Sequence, residues 1–251
     1  MPIELCRRID DASLRAWPAL EQLVDDGGWV LRFAGGYTKR ANSVTAVEPP
    51  PDLRDAVERC ERHYAERGAP AVFRLLSFAQ PPGLDPLLAD RGYEKIDESL
   101  VMSRLLPDEL TRDADLVRDA PLDPWLDLFE TFSAGKPARR PVHRGMLEAI
   151  HGPRLLAITP GEGPPAGCGL GVVDRELFGL FDLVVAPSQR RKGHGRYLTR
   201  GMLAWARAQG AQRAYLQVIA ANAPARLLYE QLGFAETYRY WYRRALGIAR
   251  P

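Results

Sequence analysis

Apolar side chains recur along the chain at two spacings, and each spacing predicts a different element. Spacings of three and four residues are typical of a helix with one buried face, whereas continuous apolar or β-branched runs are typical of buried strands. Glycine and proline mark the turns between them. For the first half we predict helices over 14–24, 52–67 and 84–90 and strands over 29–34, 43–47, 71–77 and 93–105, the first two strands forming a hairpin.

A polar stretch punctuated by proline and aspartate, 106–121, separates this half from the second. The same criteria apply beyond it. There we predict four helices: 124–132, 145–150, one that runs from a glycine-rich loop to residue 209, and 224–231. We predict strands over 155–159, 166–173, 177–186, 213–219 and 234–244.

The two halves share one order of elements. Helix, glycine, strand, short helix, glycine with an aromatic, and long strand occur over 52–104 and again over 196–244. Many α/β proteins repeat such units, but the shared order of four elements favours a duplicated fold. We therefore predict an α/β fold with a mixed sheet, made of an N-terminal domain over 1–110 and a C-terminal domain over 111–251.

Composition narrows the class of protein. The 251 residues are 46% hydrophobic and 26% charged with a net charge of +2, which is typical of a soluble globular protein and gives little support to nucleic-acid binding. Cys6, Cys60 and Cys168 form no CxxC pair, and the four histidines lack metal-ligand spacing. No apolar run could cross a bilayer, and the first residues lack a signal-peptide pattern. We expect a cytoplasmic protein without a metal or a membrane partner.

A basic loop with two glycines joins a predicted strand to a predicted helix. It spans 190–195 and places three cations before Gly193 and Gly195. The first N–H groups of a helix lack internal partners, and the helix dipole favours an anion there. Glycines allow a diphosphate to approach the backbone closely. The alternative is a solvated turn that uses glycine only for its geometry.

The residues around this loop resemble a known family. The segment 185–196 is similar to the coenzyme A signature of the GNAT superfamily of N-acetyltransferases, and Asn222, Ala225 and 228–234 are similar to its second signature. The resemblance covers 121–244. The first half resembles a degenerate second copy, similar to bacterial tandem GNAT proteins, through a pattern of Gly28, Trp29, Arg32, Arg40, Ala41, Asn42 and Ser43.

This resemblance implies the GNAT fold, acetyl-CoA as co-substrate and one coenzyme site, in the second half. The backbone of Leu183, Val184 and Val185 would bond the acetyl carbonyl and the pantetheine. Asn222 would contact the pantetheine arm, or would only cap a helix. The pyrophosphate would be held by Arg190, Arg191, Lys192, Gly193, His194, Gly195 and Arg196.

Tyr229 is our candidate for the general acid, because a phenol can protonate a departing thiolate. The alternative is a core aromatic. Asp182 and Glu230 lie near the signatures, but a water chain could also act as the base, so the base stays unassigned. Arg139, Arg140 and His143 lie where GNAT proteins admit the acceptor, although a solvated face is the simpler interpretation.

The leading hypothesis is therefore direct acetyl transfer to a primary amine of a small molecule or a peptide. No cysteine matches a family position, which disfavours a ping-pong route without excluding Cys168. A second hypothesis is a non-catalytic acyl-CoA-binding or regulatory module. A third is a nucleic-acid-associated protein, suggested by alternating aromatic and arginine residues over 238–244, although the alternating faces of a final strand are the simpler explanation and the one we favour. The sequence leaves the acceptor and a homodimer open.

Overall fold

The computed structural model describes residues 2–25, 27–133, 139–161 and 163–245. The helices are α1 (Ile3–Ala16), α2 (Leu53–Ala65), α3 (Leu84–Asp90), α4 (Leu122–Ser133), α5 (Arg140–Glu148), α6 (His194–Ala208) and α7 (Ala223–Gln231). The strands are β1 (Glu21–Val24), β2 (Val30–Phe33), β3 (Val44–Thr45), β4 (Val72–Leu76), β5 (Tyr93–Leu105), β6 (Arg118–Asp119), β7 (Arg154–Ile158), β8 (Gly167–Asp174), β9 (Leu177–Val185), β10 (Arg213–Ile219) and β11 (Ala235–Ala245).

These strands form one mixed sheet in the order β1-β2-β3-β4-β11-β5-β10-β9-β8-β7-β6. Two neighbouring pairs are parallel, β3 with β4 and β9 with β10, and the others are antiparallel. Each parallel pair is joined by a crossover helix, α2 in the first half and α6 in the second. The predicted α/β class with a mixed sheet is confirmed.

The long strands β5 and β11 exchange places at the centre of the sheet. β11, from the end of the chain, lies between β4 and β5, while β5 lies between β11 and β10. Each half therefore donates its last strand to the sheet of the other half. The domain division near residue 110 stays a prediction, and a cut there would separate strands that are hydrogen-bonded to each other.

One hydrophobic cluster joins the two halves. Ile9 and Trp17 from the first half are buried together with Trp125, Leu170 and Phe181 from the second. Helix α1 lies against β8 and β9, which brings the start of the chain next to the strands of the second half. This packing positions the N-terminal residues that contribute to the site described below.

Two predicted helices have wrong bounds. The helix predicted over 14–24 is α1, which ends at Ala16, and residues 21–24 form the edge strand β1. Pro18 explains the early end, because proline restricts the residue before it and has no N–H to continue a helix. Helix α5 begins at Arg140 instead of 145, with Pro141 in its first turn, a position that proline favours. Residues 134–138, between α4 and Arg139, lie outside the described residues.

Of the helices in the described ranges, none is long and apolar enough to span a membrane.

Candidate active site

The sheet opens between β9 and β10. Their parallel pairing ends at Leu180 and Leu216. Further along, β10 stays bonded to β5 as far as Ile219, and β9 stays bonded to β8 as far as Val185. Because each strand keeps its outer neighbour alone, a gap opens between them, and in the part of the chain that the structure describes the edge of β9 over 181–185 has no strand partner on that side.

A bulge in β9 shapes this gap. The pairing of β8 with β9 shifts register between Cys168 and Leu170, and Asp182 has a φ of +47°. Positive φ is uncommon for residues other than glycine, and bulges redirect side chains next to active sites. Regular alternation would send neighbours to opposite faces, but Phe181, Asp182 and Leu183 all border one cavity.

That cavity has a volume of about 290 Å³. It brings together three of the predicted site residues, Leu183, Asn222 and Tyr229, with Asp182. The first half of the chain also contributes to its wall. The contributing residues of that half are Trp17, Thr38 and Arg40.

The predicted pyrophosphate loop follows β9. It leaves a 3₁₀ turn at Pro187–Gln189 and reaches α6 through Arg191 and Gly193, whose φ values are +65° and +87°. The N–H groups of Arg196 and Tyr197 both bond the Gly193 carbonyl. The N–H groups of His194 and Gly195 come before these bonds, and among the described residues no side chain caps the helix. The start of α6 therefore offers free donors to an anion.

The cations of this loop are not neutralised by the protein. Arg190, Arg191, Lys192 and Arg196 are exposed, and within the described parts of the chain none of them forms an ion pair. Their contacts are neutral: Arg190 Nε donates to the Val185 carbonyl at 3.3 Å and Lys192 Nζ to Gln189 Oε1 at 3.1 Å. Arg196 donates to Gln231 Oε1 at 2.7 Å. A diphosphate would fit this charge and donor set.

Gly195 links the two predicted signatures. A Cβ on Gly195 would lie 3.3 Å from Leu228 Cδ2, which is closer than ordinary contact. The glycine therefore lets the start of α6 pack against α7, which carries Asn222 at its cap and Tyr229 in its interior. His194, half-buried in the first turn of α6, does not border the cavity.

Tyr229 is 9% exposed and borders the cavity from α7. Burial raises the pKa of its phenol to about 12, so the hydroxyl carries its proton at neutral pH. Its ring also packs edge-on against Phe234, with the centroids 5.9 Å apart. Tyr229 is therefore a core aromatic that also borders the cavity, and its role as the general acid stays a prediction. Asn222 caps α7 through Oδ1, which accepts from Ala225 N at 3.3 Å, and it borders the cavity as well.

A buried histidine holds Asp182. His143 Nε2 lies 2.9 Å from Asp182 Oδ2, and His143 is 1% exposed. Its ring stacks on Tyr37 from the first half, with centroids 4.8 Å apart. Sequence reasoning named both residues but not their pairing, because they lie on different elements 39 positions apart. Glu230, the other candidate base, is exposed beside Arg226 and does not border the cavity.

The other two residues of the predicted acceptor region have separate roles. Arg140 pairs on the surface with Asp127 at 2.7 Å and Glu130 at 3.1 Å, as the simpler interpretation expected. Arg139 donates to the Tyr37 carbonyl at 3.0 Å. It therefore fastens the second half to the N-terminal segment that reaches the cavity.

That segment, the 34–42 loop, is held by two residues of the N-terminal pattern. Arg32 is wholly buried and donates to the backbone carbonyls of Arg40 at 2.8 Å and of Trp17. Asn42 Oδ1 accepts from Ala34 N at 2.7 Å, and its amide donates to the Thr38 carbonyl at 2.7 Å. The pattern that resembled a degenerate copy therefore shapes the loop that carries Tyr37, Thr38 and Arg40 to the site.

Cys168 is wholly buried, and burial, assisted by the charge of Asp182, raises its pKa to about 12. A thiol in this state is a poor nucleophile. The residues that the structure describes contain no group of three or more histidine, cysteine, aspartate or glutamate side chains arranged for a metal. The tyrosines of 238–244 are buried on β11, so the strand interpretation of that alternation applies.

Comparisons with known proteins find N-acetyltransferase relatives. The "Uncharacterized N-acetyltransferase YobR" of Bacillus subtilis is 32% identical over 243 residues, 94% of this chain and 97% of its own length. A streptothricin acetyltransferase of Streptomyces lavendulae is 28% identical over 146 residues, 57% of this chain and 75% of its own length.

Solved structures share the fold. A GCN5-related N-acetyltransferase from Kribbella flavida has a TM-score of 0.62 at 17% identity and covers 96% of this chain and 95% of its own. A tandem GNAT protein from the clavulanic acid biosynthesis pathway has a TM-score of 0.60 at 15% identity and covers 96% and 89%. The predicted GNAT fold is confirmed.

The family model described as "Probable histone acetyltransferase Rv0428c C-terminal" matches residues 5–243, nearly the whole chain. With the relatives above, this match shows that the chain belongs to that family and is an N-acetyltransferase of the GNAT superfamily.

Proposed function

We propose that the protein transfers an acetyl group from acetyl-CoA to a primary amine of a small molecule or peptide by direct attack. One observation carries the proposal: the gap between β9 and β10 lies beside an α6 N-terminus whose cations are unpaired among the described residues. A thioester end and a diphosphate end of one molecule could be bound by these neighbouring features.

The co-substrate would be held along β9 and the loop. The backbone of Leu183, Val184 and Val185 lies on the edge without a strand partner, which suits bonds to the acetyl carbonyl and the pantetheine amides. Such donors stabilise the charge that develops on a carbonyl oxygen under attack. The segment Arg190–Arg196 would bind the pyrophosphate, and Asn222 would border the pantetheine arm. Acetyl-CoA supplies the activated acyl group.

We assign the proton transfers of this reaction to two side chains. Asp182 borders the cavity and is oriented by His143, so we assign it the proton that the attacking nitrogen loses as the C–N bond forms. Tyr229, protonated at neutral pH, would donate its proton to the sulfur as the C–S bond breaks. The proton balance closes when Asp182 releases its proton to solvent and Tyr229 takes one up from solvent. Cys168 takes no part, because it is buried as a thiol.

The test is release of free thiol from acetyl-CoA in the presence of amine panels: amino acids, polyamines, aminoglycosides and peptides with free N-termini. Tyr229→Phe should lower kcat by about 10²–10⁴-fold, the usual contribution of a general acid, with an unchanged Kd for acetyl-CoA. Tyr93→Phe is the control, since Tyr93 is similarly buried but lies in the first half bonded to Glu61. A proportionate loss of coenzyme affinity in Tyr229→Phe would indicate a packing role instead.

The binding-only alternative makes a different prediction. A regulatory module needs the pyrophosphate loop but no proton donor, so it would bind acetyl-CoA and release no thiol with any amine. Membership of an N-acetyltransferase family argues against it.

A further inference from the structure

An interior group of charges next to the cavity contains more arginine than carboxylate. It consists of Asp10, Arg32, Arg40 and Arg74. Asp10 bonds both oxygens to Arg74, at 2.6 and 3.0 Å, and also accepts the Tyr238 hydroxyl at 2.6 Å. Arg32 directs its terminal nitrogens to backbone carbonyls. In the described chain, therefore, neither Arg32 nor Arg40 has a carboxylate partner.

The excess positive charge affects the neighbouring groups. Burial, reinforced by Arg74 and Arg40, lowers the pKa of Arg32 to about 10. Burial alone would raise the pKa of Tyr240, but the charges of Arg40 and Arg74 lower it. The lowered pKa of Tyr240, together with the contribution of Arg74 and Arg40 to that of Arg32, indicates a positive potential beside this wall of the cavity, which favours an anion.

Arg40 is the member of this group that borders the cavity. Its guanidinium carbon lies 5.7 Å from the ring of Trp17 and 5.6 Å from that of Phe181. Its Nε is buried and has no acceptor among the residues that the structure describes. A buried cationic donor without an acceptor is unfavourable, and a ligand carboxylate would correct this.

The lining of the same cavity also contains an anion. Asp182 directly follows Phe181, whose ring contacts Arg40, and both residues border the same space. One small volume thus presents a guanidinium and a carboxylate, a pattern complementary to an amine and a carboxylate on one molecule. The volume of about 290 Å³ falls at the lower end of the range for ligand pockets, which suits a small acceptor better than a stretch of peptide.

We propose that the acceptor is an α-amino acid or a close analogue, whose carboxylate binds Arg40 while its amine faces Asp182. This inference rests on the proposed function, since it names the acceptor of the same reaction. It makes Arg40, a residue of the first half, a specificity determinant for chemistry catalysed by the second half.

The first experiment uses the unaltered protein and three matched acceptors: an amino acid with an apolar side chain, its C-terminal amide and the amine that lacks the carboxyl group. Several side chains are tried. Thiol release should favour the amino acid over both analogues by about 10- to 100-fold in kcat/KM, the usual effect of a charge-assisted contact. Equal rates with the amide would overturn the assignment of a carboxylate site.

The second experiment compares Arg40→Met and Arg40→Lys. Methionine removes the charge and keeps an unbranched side chain, so it should abolish the preference by raising KM for the amino acid. Lysine should retain part of the preference. Arg54→Met, which alters an exposed arginine on α2, is the control and should keep it all. A preference that survives Arg40→Met in a folded protein would overturn the proposal.

A third measurement does not depend on turnover. Calorimetry without coenzyme should detect an N-acetyl amino acid binding more tightly than its amide to the unaltered protein, and equally weakly to Arg40→Met. The set of acceptors that react distinguishes a failure of this inference from a failure of the proposed function. If polyamines or peptides are acetylated and amino acids are not, this inference is wrong and the proposed function stands. If acetyl-CoA binds but no amine is acetylated, both are wrong.

Discussion

Helices α2 and α6 occupy equivalent places in the two halves but begin with opposite chemistry. Each crosses between two parallel strands, β3 and β4 or β9 and β10. At the start of α2, Asp52 accepts from Arg54 N at 2.8 Å and Asp55 N at 3.1 Å. At the start of α6, Gly193 provides no cap, and the first turn contains no acidic residue.

This difference shows how one topology can hold or lose an anion site. A carboxylate on the helix cap occupies the free N–H groups and repels a second anion. A glycine preceded by cations leaves the same groups open. The comparison supports our prediction of one coenzyme site per chain, in the second half.

The ends of the parallel strands also differ between the two halves, closed in the first half and open in the second. Beyond the last parallel pair of the first half, Thr45 and Arg74, the next residues Ala46 and Leu75 are wholly buried. Beyond Leu180 and Leu216 the gap contains half-buried polar groups. In the first half, buried apolar residues occupy the position that corresponds to the gap between β9 and β10. The first half also contributes a wall to that gap in the second half.

Reversing two charges of the α6 loop should have the largest effect. The variant Arg190→Glu with Lys192→Glu replaces two attractive contacts by repulsion, so the affinity for acetyl-CoA should fall by about 10²–10⁴-fold at about 1.5–3 kcal/mol per contact. Calorimetry measures this fall. Arg54→Glu at the start of α2 is the matched control and should leave the affinity unchanged. An unaltered affinity in the double variant would remove the loop from the site.

Asp10 and Asp182 are carboxylates with opposite predicted roles. Asp10→Asn leaves Arg74 buried without its counterion, so the free energy of unfolding should fall by about 3–5 kcal/mol, measured in urea. Asp182→Asn should instead reduce kcat with a much smaller loss of stability, because Asp182 lies at a cavity wall. A large loss of stability in Asp182→Asn with normal kcat would contradict its assignment as the base.

Variants at Gly83 and Gly193 distinguish an effect of backbone strain from an effect on acetyl-CoA binding. Both precede helices in left-handed conformations, with φ of +82° and +87°, and a Cβ on either would meet no close atom. Alanine at either position should therefore cost about 1–2 kcal/mol of stability. Only Gly193→Ala should also weaken acetyl-CoA binding. If Gly83→Ala weakened it equally, the effect would be global instead of local to the loop.

Removing the α2 cap should have the smallest effect. Asp52→Ala should lower the free energy of unfolding by about 0.5–2 kcal/mol, as for other N-caps. It should create no second coenzyme site, because the flanking strand ends are already packed. Titration should still give one acetyl-CoA per chain, and a stoichiometry of two would show that the cap alone had closed the site.

Much of the fold was predictable from local pattern. The bounds of α3, β5 and β10 agree with prediction because glycines and apolar runs mark them within a few residues. The α1 prediction failed because Leu20 and Val24 fit a helical spacing but are exposed, Leu20 just before the edge strand β1 and Val24 at its end. Periodicity reports spacing along the chain, and it does not tell which apolar residues are buried.

The sequence by itself determined the loop that we propose to bind the pyrophosphate, since its strand, cations, glycines and helix are contiguous and their chemistry acts within one turn. Only the tertiary structure decided what faces that loop. The exchange of β5 and β11, the bulge that turns Asp182 toward His143 and the delivery of Arg40 to the cavity depend on strand pairing between distant segments. Such pairing is selected by the burial and hydrogen bonding of the whole sheet, and no local pattern specifies it.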